Sequence, residues 1–329
     1  MRPVRTFHGD PGVTPLLAFL LVVSGSVFNE TTGKPQPGAT VTLYKLGQAG
    51  PESLESVKSG PDGGYQINRD ASGPHLLQAA YDGVTYNAML FPGRPTTGVQ
   101  IKVYQTSRKP GQARVETHMV LVESGPGELA ISESYLWQND GKSTFYDPSG
   151  GAFRFVLPEA AAGKVKVQCT HPAGGGIPVE RAAEKTAVPG VYKVDFPVKP
   201  GETRFDLSYT IQGTSFAGRS LYAGTPVRFV APVGVTLKGD SLTTMGQHPE
   251  TQATIYESKS GVFEITVEGQ GTLSAGSEGG GEDEGGGIQQ IRPRIYDRFH
   301  AILGLTALIL ALGFILLYRK GAPAGGRAQ

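Results

Sequence analysis

Residues 203–211 read TRFDLSYTI, and every second side chain in this stretch is large and apolar. The apolar positions are Phe205, Leu207, Tyr209 and Ile211. A period of two places alternate side chains on opposite faces of an extended chain, so the stretch predicts a half-buried β-strand. The same alternation recurs in residues 153–157 and 263–267, and together these stretches predict an all-β fold.

The composition supports many short strands joined by turns. The 329 residues include 47 Gly and 24 Pro, which suits tight turns and suits helices poorly. This length is enough for two domains with cores of their own. The formal net charge is only +1, so no basic field indicates nucleic acid as a partner.

The single cysteine, Cys169, ends the stretch KVKVQC at 164–169. One cysteine excludes an intramolecular disulfide and a cysteine-based zinc cluster. Because Val165, Val167 and Cys169 alternate with polar residues, we expect Cys169 on the apolar face of a strand. The alternative is a reactive or intermolecular thiol.

The two ends of the chain predict an envelope protein. Residues 301–318 carry no charge and, as a helix, span about 27 Å, close to the thickness of a bilayer core. They predict one transmembrane helix, with residues 319–329 as a cytoplasmic tail. Residues 1–23 have a basic start and a short apolar centre, which predicts a secretory signal peptide. The body is then periplasmic or extracellular, tethered by a linker at 270–290 that is rich in Gly and acidic residues.

Residues 24–108 alternate between short apolar strands and turns. Their distinctive motifs are Gly25-x-Val27, TGKPQPGATVTL at 32–43, DGGY at 62–65 and AYDG at 80–83. This pattern resembles the carboxypeptidase regulatory-like domain. The resemblance implies a seven-stranded, prealbumin-like sandwich of the carbohydrate-binding-like group, and its motifs, mostly turn residues, imply no catalytic site. A Lys–Asn isopeptide bond, which neighbouring sandwich families carry, cannot be assigned to particular residues here.

Residues 113–269 contain a second set of eight or nine alternating runs. Their number and spacing predict a second β-sandwich of immunoglobulin-like type. Within it, residues 129–137 read LAISESYLW and place Glu133, Tyr135 and Trp137 on one strand face. An exposed strip of two aromatic rings and an acid suits a sugar or a peptide ligand. The alternative is that both rings are core residues, with Glu133 at a bulge or strand end.

Catalytic motifs are weak in this chain. Residues 239–242 read GDSL, and Asp297 and His300 complete a Ser/His/Asp set on paper. A GDSL-type hydrolase is nevertheless disfavoured, because Ser241 lies late in an all-β region and a flexible linker separates it from His300. The remaining histidines have no metal-binding spacing, and we expect them on the surface. No cofactor is predicted.

The sequence therefore predicts a non-enzymatic, membrane-anchored interaction or assembly protein of the bacterial envelope. Its expected partner, apart from the membrane itself, is an envelope protein or a polysaccharide such as peptidoglycan. The polysaccharide alternative depends on the fold resemblance and on the Glu133, Tyr135 and Trp137 strip.

Overall fold

The computed structural model describes residues 22–47, 50–161, 164–171 and 176–273. These ranges form an all-β fold, which confirms the predicted class. Their one helical segment is a short 3-10 turn, Glu159–Ala161.

Within the described ranges no helix has the length and hydropathy that a membrane crossing requires. The predicted transmembrane helix and cytoplasmic tail lie outside these ranges, as do nearly all of the predicted signal peptide and most of the predicted linker.

The first domain has two four-stranded sheets. Its strands are β1 (Val23–Asn29), β2 (Lys34–Pro35), β3 (Thr40–Gly47), β4 (Gly50–Lys58), β5 (Gly64–Ile67), β6 (His75–Tyr81), β7 (Val84–Leu90) and β8 (Val99–Val103). In one sheet β1 pairs with β2, β5 and, in parallel, β8; the other sheet has the order β4-β3-β6-β7. The apolar faces of both sheets contribute to one core, whose fully buried members include Val27, Val41, Leu43, Ile67, Leu77 and Ile101.

Strand β1 begins one residue earlier than the predicted domain. Val23, assigned to the signal peptide from the sequence, is fully buried and pairs with Ile67 of β5. A signal peptide that ended after Val23 would remove this core residue. The predicted boundary at 23/24 thus falls inside β1, and the end of the signal peptide stays a prediction.

The motif AYDG at 80–83 forms the tight turn between β6 and β7. Asp82 and Gly83 both have positive φ, at 48° and 77°. Two positive φ values are the condition for a type I′ hairpin turn, whose twist matches that of the flanking strands. This explains why the stretch carries an Asp-Gly pair.

In the described ranges the second domain contains sixteen strands. They are β9 (Thr106–Ser107), β10 (Ala113–Gly125), β11 (Glu128–Asn139), β12 (Thr144–Phe145), β13 (Phe153–Val156), β14 (Lys166–Thr170), β15 (Val179–Arg181), β16 (Ala183–Lys185), β17 (Val191–Val194), β18 (Gly201–Gln212), β19 (Ser215–Arg219), β20 (Val227–Ala231), β21 (Val235–Lys238), β22 (Thr243–Gln247), β23 (Thr254–Ser258) and β24 (Val262–Gly269). Strand β9 pairs with β12, so Thr106–Ser107 belongs to this domain.

One large sheet dominates the second domain. Its eight strands have the order β15-β14-β18-β11-β10-β20-β23-β22, and β10 and β20 are parallel. Two separate three-stranded sheets, β13-β17-β16 and β19-β24-β21, share its hydrophobic core. This sheet is larger than the three- to five-stranded sheets of an immunoglobulin-type sandwich.

Cys169 lies in β14 and is fully buried, which confirms the prediction that it is a core residue. Burial raises the pKa of its thiol to about 12. The reactive thiolate is therefore disfavoured at neutral pH.

Candidate functional site

The predicted strip of Glu133, Tyr135 and Trp137 does share one face of β11, but that face points into the core. The three residues are 7%, 2% and 4% exposed. The expectation of an exposed aromatic surface is therefore wrong, and Tyr135 and Trp137 are core residues. Glu133 is in mid-strand, away from any bulge on β11, so its predicted place at a bulge or strand end is also wrong.

Hydrogen bonds from three side chains stabilise the buried Glu133 carboxylate. The Tyr135 hydroxyl donates to Oε2 at 2.8 Å, and the Tyr209 hydroxyl donates to Oε1. His118 Nε2 lies 2.9 Å from Oε2. An ionised carboxylate has about four lone-pair sites, so three donors offset most of the cost of removing it from water.

The same cluster explains why His118 is buried rather than on the surface as expected. Its ring stacks on Tyr135 with centroids 3.9 Å apart, and the residue is 2% exposed. Burial first, and then the Glu133 charge, raise the pKa of Tyr135 and Tyr209 well above the ordinary value, so both hydroxyls remain donors. His75 is likewise buried, and the prediction of surface histidines is wrong at both positions.

A groove lies beside Trp137, at the split between the two small sheets. Among the described residues, strand β13 pairs only with β17 and β19 pairs only with β24, so these two strands do not pair with each other. The groove has a volume of about 570 Å³, with Val115, Trp137 and Phe145 among its lining residues. Ala152 and Arg154 line it on the β13 side. Arg219, the last residue of β19, lines it on the other side, together with Leu221 and Tyr222. We call it the Trp137 groove.

The Trp137 groove is apolar inside and positively charged at its border. Three arginines line it, Arg114, Arg154 and Arg219, and its lining contains no acidic residue. Arg114 pairs with Asp140 at 2.5 Å. In the described part of the chain neither Arg154 nor Arg219 has a carboxylate within 4.0 Å. Arg154 Nη2 nevertheless lies near the Asp147 carboxylate, since a Cβ on Gly150 would be 2.8 Å from the first and 2.2 Å from Asp147 Oδ2. Arg219 is the guanidinium that is free to bind an anionic group.

Tyr222 caps the unpaired edge of β13. Its hydroxyl accepts a hydrogen bond from the Arg154 N–H at 2.9 Å and donates one to the Arg154 carbonyl at 2.7 Å. Its ring packs edge-on against Trp137, with centroids 5.4 Å apart. Burial raises the pKa of Tyr222, so the hydroxyl keeps the proton that it donates.

The GDSL stretch forms a turn, closed by a hydrogen bond from the Leu242 N–H to the Gly239 carbonyl. The Ser241 hydroxyl is buried without a hydrogen-bond partner among the described residues. The structure therefore brings no base to this serine in those ranges, while Asp297 and His300 lie outside them. No group of three His, Cys, Asp or Glu side chains in the described part of the chain is placed to hold a metal ion.

Lys199 is a buried cation where the two domains meet. Its Nζ donates to the Thr85 carbonyl at 2.6 Å and lies 5.1 Å from the centre of the Tyr86 ring. Burial lowers its pKa from 10.5 to about 8. The folded chain therefore releases this proton at a lower pH than the unfolded chain does.

We expect Lys199 to favour the folded state increasingly as the pH rises from 8 to 10, against the opposite effect of Cys169 and the buried tyrosines, whose raised pKa values lower the unfolding free energy as the pH approaches 10. In that window the unfolded state binds the Lys199 proton more strongly, so raising the pH from 8 to 10 favours the folded state through this group by about 2 kcal/mol. In urea unfolding across this range, the slope of the unfolding free energy against pH should be more negative for Lys199→Met than for wild type. The exposed Lys58 provides a control, since Lys58→Met should keep the wild-type slope. Equal slopes in wild type and Lys199→Met would contradict this assignment.

Comparison with known proteins leaves the chain without a family. No family model and no curated protein matches it. Among solved structures it is similar to an M1 zinc metallopeptidase from Deinococcus radiodurans, at 13% identity and a TM-score of 0.27, over 48% of this chain and 42% of that one. A two-domain M1 zinc metallopeptidase mutant bound to L-tryptophan matches at 12% identity and a TM-score of 0.28, over 48% and 43%. The chain thus spans less than half the length of these structures, and at such TM-scores the similarity carries no argument about function.

Proposed function

We propose that this chain is a non-enzymatic, membrane-anchored interaction module of the bacterial envelope, which binds a partner protein outside the cytoplasm. The observation that carries the proposal is the Trp137 groove, an apolar site that is lined by three arginines and by no acidic residue. Pockets with an apolar lining and a few placed polar groups are typical ligand sites, and aromatic residues and Arg are enriched at protein interfaces. The hydropathy of residues 301–318 supports the anchor.

A protein partner is favoured over a polysaccharide by where the aromatic residues lie. Sugar stacking needs exposed ring faces, and the rings of Tyr135 and Trp137 lie in the core. Polysaccharide binding then depends on the resemblance of residues 24–108 to carbohydrate-binding-like sandwiches. In this proposal the first domain is a prealbumin-like spacer that carries the second domain, and the second domain holds the binding groove.

Site-specific crosslinking tests this function. A photo-reactive amino acid at Leu221, which is 37% exposed at the groove, should form a discrete adduct with a protein when the full-length chain is irradiated in its own membrane. The Arg154→Glu/Arg219→Glu double variant should lose the adduct. The control position is Met119, which is 41% exposed on the outer face of the eight-stranded sheet. An adduct from Met119 alone would indicate that the interface lies on the outer face of the eight-stranded sheet. If neither position gives an adduct and the protein is retained on peptidoglycan, a polysaccharide ligand would be favoured.

A further inference from the structure

The unpaired edge of β13 carries hydrogen-bonding groups that a second strand would satisfy. In β13, Arg154 lies opposite Lys193 of β17, yet its N–H and carbonyl bond to the Tyr222 hydroxyl. In an antiparallel ladder both groups of one residue point to the same side, so Arg154 points away from β17. A single side-chain oxygen therefore occupies the place of a neighbouring strand. Strand edges of this kind are templates for pairing with another chain.

The Trp137 groove lies along this edge and provides room for side chains. Its apolar lining extends from Val115 and Trp137 to the partly exposed Leu221 and Val188. A strand added beside β13 would direct every second side chain toward this lining and the others toward solvent. Because β13 has four residues, the paired part of an added strand spans about 13 Å.

The charge of the border specifies the occupant. In the described ranges Arg219 has no carboxylate within 4.0 Å, and Arg154 has only the more distant Asp147 beside it. Arg114 adds a third positive charge. Guanidinium groups bind carboxylates with paired, charge-assisted hydrogen bonds. A basic segment would meet like charge at this border and would be rejected.

We propose that the partner adds an extended acidic segment to the free edge of β13 and places one bulky apolar side chain in the Trp137 groove. The added segment displaces the Tyr222 hydroxyl from the Arg154 N–H and carbonyl. The inference rests on the proposed function and deepens it, since it states the chemistry of the partner. It follows a known mode of peptide recognition, in which main-chain hydrogen bonds supply affinity and side-chain pockets supply specificity.

Peptide binding to the full-length chain in detergent tests the proposal. The probes are fluorescein-labelled nine-residue peptides with Glu at every second position and Leu or Phe between, and a counterpart with Lys in place of Glu. Fluorescence polarisation should detect the acidic peptide in the micromolar range and the basic one at least tenfold more weakly. Arg154→Glu/Arg219→Glu should weaken acidic-peptide binding at least tenfold. The matched control Arg69→Glu/Arg94→Glu changes the net charge equally in the first domain and should bind as wild type does.

Backbone methylation distinguishes strand addition from general adhesion. Methylating the peptide nitrogens on one alternate set of positions removes the donors that face β13, whereas methylating the other set leaves them intact. One methylated peptide should therefore lose binding and the other should keep it. Equal binding of both would overturn strand addition.

Tyr222→Phe supplies an independent readout. Removing the hydroxyl leaves the Arg154 N–H and carbonyl without their partner, and the added strand would satisfy them. The variant should therefore bind the acidic peptide about tenfold more tightly, which corresponds to about 1.4 kcal/mol. A merely structural role for Tyr222 would lower stability without raising affinity. One result would contradict strand addition and still support the interaction function. In that result neither the acidic nor the basic peptide binds, yet crosslinking at Leu221 captures a protein in the membrane.

Discussion

Glu133→Ala is expected to lower the unfolding free energy of the second domain by about 3–5 kcal/mol, because three buried hydrogen-bonding groups lose their partner at a cost of about 1–3 kcal/mol each. The substitution leaves the Tyr135 and Tyr209 hydroxyls and His118 Nε2 without an acceptor. Each of these donors is buried, so each then carries its desolvation cost uncompensated. Urea unfolding of the unit that ends at Gly276 measures the effect, and the fluorescence of Trp137, the only tryptophan, reports on this domain.

Glu128→Ala is the matched control for this change. Glu128 begins the same strand but is exposed, so its removal should cost less than about 0.5 kcal/mol. A double-mutant cycle of Glu133→Ala with Tyr209→Phe should show a coupling of at least about 1 kcal/mol, because the two side chains share one hydrogen bond. Additive effects would show that the cluster is not energetically connected.

Gly25→Ala is expected to destabilise the first domain by about 3 kcal/mol, the upper part of the usual range for overpacking. A Cβ at Gly25 would lie 1.8 Å from the Val99 carbonyl oxygen of the parallel strand β8 and 2.7 Å from the Tyr65 hydroxyl. The Tyr65 hydroxyl donates to that same carbonyl at 2.8 Å, passing over the position that a side chain would fill. Either β1 and β8 separate or this hydrogen bond is lost.

The unfolding of Gly25→Ala should be followed with two probes. Circular dichroism should show early loss of first-domain strand signal, while the Trp137 transition should move less, because that residue lies in the second domain. Gly47→Ala is a control in the same domain: its nearest neighbour to a new Cβ is 3.8 Å away, so we expect little change. Wild-type stability of Gly25→Ala would mean that β1 and β8 are farther apart than described.

The alternating stretches were sufficient to predict the class of the fold and several of its strands. Phe205 through Ile211 lie in β18 with the predicted residues buried. A period of two places all of these apolar side chains on the same face of the strand, so they are buried together. Strand β4 was missed, since Gly50–Lys58 has no such period and most of its residues are exposed. It is a strand because it pairs with β3 at a sheet edge, and pairing of that kind leaves no hydrophobic pattern in the sequence.

The candidate site was predicted only in part. The alternation placed Glu133, Tyr135 and Trp137 on one face, and this is confirmed. It did not determine whether that face is exposed to solvent. Burial depends on the β13 and β19 sheets, which share the core with that face. Arg154, Arg219 and Tyr222 had no signal in the sequence, because 65 residues separate Arg154 from Arg219 and neither lies in a recognisable motif.

By itself the sequence determined the all-β class, the buried cysteine and the shared face of the β11 residues, since each follows from local periodicity. Only the tertiary structure decided that His118, Glu133 and Tyr209 form one buried cluster, and that β13 has an unpaired edge beside an arginine-bordered groove. The physical reason is that hydrogen bonds and unpaired edges arise between strands distant in sequence. Local periodicity indicates which face of a strand is apolar, but it does not indicate which other element packs against that face.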